Sequence, residues 1–162
     1  MDRTRTAALA LLACTAAGCS RAPGGNAGAG ASAQPQGAGL GEVMSQVGRR
    51  FETAGRAAAV GRYELAEFEV GELEELFEND VPRAALPKEG PTAHIAAMAQ
   101  SFLKLNAPEL KRAAASKDRV AFADAFQHAA AACNGCHQAS AKAFIEVPSV
   151  PGRAVPALDP LP

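Results

Sequence analysis

No segment of this sequence is apolar for the roughly 20 residues that a helix needs to cross a bilayer. The leading apolar stretch, Ala7 to Ala13, is too short, so the chain is not expected to span a membrane. An excess of charge is lacking too: 16 Lys+Arg stand against 17 Asp+Glu, which argues against nucleic acid as a partner. Cysteine is scarce, with four in 162 residues, and Cys14 lies in the leader. Only Cys19, Cys133 and Cys136 are left, which excludes a disulfide scaffold. No acid/base pair or activated nucleophile stands out, so no enzyme is expected. The length suits one domain.

Arg3 and Arg5, the apolar stretch after them and the small residues Ala16-Ala17-Gly18 before Cys19 read as a secretory signal over residues 1–18. Cys19 after small residues also looks like a bacterial lipobox, in which the cysteine is lipidated and anchors the protein. Ala16 stands where Leu is usual, so ordinary cleavage near Ala17 is the alternative. Loss of Asp2, Arg3 and Arg5 would leave a net charge of about −2 with His neutral. Residues 19–39 are dominated by Gly, Ala, Ser, Pro, Gln and Asn and are expected to be a flexible linker.

Four helical segments follow. Leu40, Val43, Met44, Val47, Phe51, Ala54 and Ala58 form one stripe over about 40–59. Gly41, Gly48 and Gly55 stand one heptad apart, which suggests a close approach on that side. A second helix over about 62–79 turns Ala66, Val70, Leu73 and Phe77 inward and seven glutamates, Glu64 to Glu78, outward. That acidic row reads as a solvated face or a docking surface for a basic partner. After a Pro/Gly loop at 81–91, Thr92 can cap a third helix with a kink or restart near Asn106, ahead of Pro108. Ser116 can cap a fourth helix over about 117–144. With no strand pattern, the expected fold is all-α, an antiparallel four-helix bundle over 40–147. Five prolines then mark 148–162 as a tail.

The fourth helix carries Cys133-Asn134-Gly135-Cys136-His137, a complete C-x-x-C-H, the attachment signature of c-type haem. Each thiol adds to a porphyrin vinyl group, and His137 follows so that its imidazole reaches the iron from the same side. On a helix the three side chains share about one turn. A thioredoxin-like dithiol belongs at a helix N-terminus after a strand. A zinc site would need His94 or His128 as fourth ligand beside Cys133, Cys136 and His137.

The opposite iron position is open or filled by Met44, Met98, His94 or His128. Met44 is favoured, because Gly48 one turn later leaves room beside its thioether for a flat porphyrin. His128 reads as surface and His94 as exposed or near a propionate. Phe51, Phe102, Phe122 and Phe126 are expected to make the pocket apolar.

Four helices, roughly 110 residues and C-x-x-C-H in the last helix resemble the cytochrome c′ family. Within it, Glu42-Val43-Met44-Ser45-Gln46-Val47-Gly48-Arg49-Arg50-Phe51 looks like the first helix of the low-spin branch. The resemblance implies one covalent haem c on the last helix, with His137 proximal and Met44 distal, in a periplasmic protein that passes single electrons to partner redox proteins and often forms homodimers. A five-coordinate member of the same fold, binding NO or CO at an open iron, is the alternative. Members commonly carry a basic residue four positions after the haem histidine; this chain has Ala141, with Lys142 next to it.

Overall fold

The computed structural model describes residues 37–87 and 90–152. The leader, Cys19, the linker up to residue 36 and residues 153–162 lie outside the described residues. Among the described residues there are four α-helices: α1 (Leu40–Ala59), α2 (Tyr63–Glu75), α3 (Ile95–Ala115) and α4 (Arg119–Ala139). Among the described residues the one β-type pairing is a bridge between Gly39 and Ala85, which ties the start of α1 to the loop after α2.

Each helix buries one stripe. Val43, Val47, Phe51 and Ala54 of α1 meet Ala66, Val70, Leu73 and Phe77 of α2, Ala99, Phe102, Ala107 and Leu110 of α3, and Phe122, Phe126, Ala129 and Ala130 of α4 in one core. Val70, Leu73, Leu110 and Phe126 are the largest fully buried side chains, each stabilising the fold by about 1.5–3 kcal/mol through burial. Phe77 and Phe102 stack with centroids 4.5 Å apart, and Phe51 and Phe126 stack at 4.1 Å and 10°.

Helix direction follows from named pairs. Going up α3, Phe102, Lys111 and Lys117 just beyond it meet Phe77, Glu74 and Glu64, residues of falling number, so α2 and α3 are antiparallel. Connections of three residues, 60–62 and 116–118, turn α1 into α2 and α3 into α4. The start of α1, the start of α3 and the end of α4 therefore share one end of the bundle.

The helices differ from the sequence reading in five places. Beyond Glu75, α2 widens into a π-helical turn (Leu76–Asp80) and a 3-10 turn (Val81–Arg83) holding Pro82, since proline supplies no N–H to continue the ladder. α3 begins after His94 rather than Thr92 and runs unbroken through Pro108. Buried Ala107, Leu110, Ala113 and Ala114 hold it in place on both sides of the missing hydrogen bond. Asp118 caps α4, its Oδ1 accepting from the N–H groups of Val120 and Ala121 at 2.9 and 3.0 Å. Ser116 instead closes α3, its hydroxyl donating to the Ala113 carbonyl.

Finally, α4 stops at Ala139, not near Phe144. Ala141 takes a left-handed conformation (φ 56°), and the N–H groups of Ala141 and Lys142 donate to the carbonyls of Gln138 and His137, a Schellman closure. That corner ordinarily favours glycine. Ala141→Gly is expected to stabilise the fold by about 1 kcal/mol, read as a higher urea midpoint at unchanged slope.

The acidic face of α2 is largely tied to its neighbours. Glu69 is buried rather than outward and pairs with Arg50 of α1 at 3.0 Å, as does Glu72. Glu74 pairs with Lys111, and Glu64 with Lys117. Glu64, Glu67, Glu75 and Glu78 stay exposed, so part of the row remains an anionic surface.

Candidate functional site

Level along the bundle can be read from the Phe51–Phe126 stack, which joins α1 to α4. Met44 lies seven residues before Phe51, and Cys133 seven residues after Phe126. The helices run in opposite directions, so both steps lead toward the same end. Each spans about 10.5 Å and nearly two full turns. Met44 and Cys133 therefore stand at one level, each on the face that carries its phenylalanine. Both are half-buried and pack against the core.

The α3–α4 pair gives a second ruler. His94 Nε2 lies 3.2 Å from Ser140 Oγ. Four residues onward from His94 is Met98, and four back from Ser140 is Cys136. Cys136 and Met98 thus share a level on the α3 side, as Cys133 and Met44 do on the α1 side. Met98 and His94 are both half-buried, so His94 is less exposed than its sequence position suggested. His128 is exposed, as expected.

Both thiols are free. Burial pushes the Cys133 thiol up to about 12, with the neighbouring Cys136 adding to the shift. Cys136 is also raised by burial, against which a hydrogen bond with Ser140 acts. A redox dithiol needs the opposite, a thiol lowered toward neutrality. A zinc site needs four protein ligands together. Among the described residues no three His, Cys, Asp or Glu side chains could hold a metal ion. Haem iron makes a smaller demand, since the porphyrin supplies four nitrogens and the protein only the axial groups.

His137 Nδ1 stands 2.7 Å from the Ile145 carbonyl oxygen. A carbonyl can only accept, so Nδ1 carries the proton, and in a neutral ring Nε2 keeps its lone pair. Two thiols and one such imidazole within a turn of α4, with a thioether at the same level on α1, match a covalently held haem in donor chemistry.

The glycine row divides. A Cβ on Gly55 would come within 2.5 Å of Phe126 Cε2 and 2.7 Å of Pro151 Cβ, which is the close approach the heptad spacing suggested. At Gly41 and Gly48 it would meet nothing within 4 Å. Met44, one turn from each, therefore has open space beside it. The four phenylalanines named for the pocket are all buried, with Phe51 stacked on Phe126 and Phe102 on Phe77. They are core at the levels above the cysteines.

Sequence reasoning passed over Asn134 and gave Ser140 only a place on the cysteine-bearing side of the fourth helix. Asn134 reads as a spacer in C-x-x-C-H, and only the tertiary course of residues 141–152 reveals its partners. Its carboxamide donates to the Val147 carbonyl at 2.9 Å and accepts from the Val147 N–H at 2.7 Å. No family model matches the chain, and neither a curated protein nor a solved structure matches it.

Proposed function

We propose that this chain is an exported monohaem c-type cytochrome, of the Met/His-ligated kind within the cytochrome c′ family, that passes single electrons between redox proteins. The observation that carries the reading is the shared level of Met44 and Cys133, two turns from the Phe51–Phe126 stack. A thioether at that level, at the end of the bundle that carries the complete C-x-x-C-H, supports the reading. Cys133 and Cys136 would hold one haem c through thioethers, and His137 Nε2 and Met44 Sδ would ligate its iron. The haem supplies the one-electron chemistry when bound. The chain fixes the imidazole through the Ile145 carbonyl, and its stacked rings keep water from the core above the site.

The leader and the thioether chemistry support a periplasmic location, with Cys19 as a lipid anchor and the residues from 20 up to the Gly39–Ala85 bridge as tether. Its partners are redox proteins and a second copy of the chain, not nucleic acid.

Absorption spectra of the ferric and ferrous protein test the reading. A low-spin spectrum unchanged by carbon monoxide is expected. Met44→Ala should turn it high-spin and carbon monoxide-binding, while Met98→Ala leaves it low-spin. A high-spin wild type that binds carbon monoxide would give the gas-binding alternative instead, and a low-spin Met44→Ala would remove Met44 as ligand.

A further inference from the structure

Beyond the Schellman corner the chain is not a loose tail. It turns back along α4 and crosses to α1. Ile145 meets His137, Val147 meets Asn134, Pro151 packs on Gly55, and the Gly152 N–H donates to Glu52 Oε1 at 2.7 Å. Val147 also packs against the core. Residues 141–152 are a strap over the end of α4.

Asn134 grips this strap as a neighbouring strand would, giving and taking one hydrogen bond with the same residue's backbone. Two bonds to one residue fix the orientation of the backbone there as well as its position. Ile145 lies two residues upstream, within about 7 Å of extended chain, so the place of its carbonyl follows from where Val147 is held.

The geometry points to Asn134 as a positioning residue for His137: by holding Val147 it keeps the Ile145 carbonyl as the acceptor of the Nδ1 proton and so keeps Nε2 free to ligate. An imidazole without that acceptor exchanges between tautomers, and the Nε2–H form cannot bind a metal through Nε2. A carbonyl on Nδ1–H also makes the ring a stronger donor, as partners of metal-bound histidines do. Asn134 thereby sets the strength of the proximal ligand. The part concerning ligand strength rests on the haem reading; the grip itself rests on the chain's own hydrogen bonds.

Two measurements separate these parts. Long-range proton–nitrogen NMR on the full chain without haem reports the tautomer of His137, one of three histidines to assign. The wild type is expected in the Nδ1–H form. Asn134→Ala should shift it toward Nε2–H, and Asn134→Asp, which keeps only the acceptor for the Val147 N–H, should fall between. Glu52→Ala, which frees the far end of the strap, should leave the tautomer unchanged. In the haem-loaded chain Asn134→Ala should move the reduction potential positive, since a weaker donor stabilises ferric iron less. A tautomer unmoved by Asn134→Ala, or moved equally by Glu52→Ala, overturns the positioning role. A shifted tautomer with an unshifted potential overturns its effect on the ligand. Absence of haem in the purified wild type overturns the haem reading alone, and the tautomer series still decides the grip.

Discussion

Replacing Cys133 and Cys136 together by alanine is expected to abolish covalent haem. After denaturation and acid–acetone extraction the wild-type polypeptide should retain its pyridine haemochrome spectrum, and the double variant should have none. Only a thioether survives such extraction, because axial bonds from His137 or Met44 are lost on unfolding. The fold itself should change little. Both cysteines are half-buried and neither is among the fully buried residues of the core, and alanine suits the middle of a helix. Each single variant should keep one thioether and stay coloured after extraction. A colourless wild type would remove the haem reading, whatever the variants show.

Phe126→Ala is expected to have the largest effect on stability, about 3–5 kcal/mol. The ring is 1% exposed, stacks on Phe51 and lies against Gly55, where Pro151 also packs. Removing it opens a cavity between α1 and α4 that none of these neighbours can close without a shift in backbone. For a domain whose whole stability is about 5–15 kcal/mol, the loss should be plain in a guanidinium chloride titration. Phe126→Leu, which refills most of the volume, should cost about 1.5 kcal/mol or less. A loss below 1 kcal/mol for alanine would show that the ring does not join the two helices, and with it the register that sets Met44 level with Cys133 would fail.

The fold was largely legible because its helices are regular where they are buried. The stripe on α1 yields its limits at Leu40 and Ala59, and Ala66, Val70, Leu73 and Phe77 are buried as their spacing implies. What escaped was decided by tertiary contacts or by small backbone turns. Pro108 looked like a break, but buried neighbours carry α3 through it. Glu69 belonged to an acidic row until Arg50, nineteen residues earlier, drew it inward. Ala141 gives no sign in its side chain of the positive φ that ends α4. Within the candidate site, Cys133, Cys136 and His137 are apparent from spacing alone. The levels of Met44 and Met98 needed a register, which one aromatic stack and one His–Ser contact provide.

The strap lies after the cysteines in chain order, and this gives the molecule a timetable. Residues 138–152 leave the ribosome after His137, and at about 5–20 residues per second their synthesis takes about 1–3 s. During that interval Asn134 has no Val147 to hold, and the end of α4 is bare. A group that reaches the chain in that interval meets His137 before the Ile145 carbonyl is in place to take its Nδ1 proton. One that arrives later finds the ring already held.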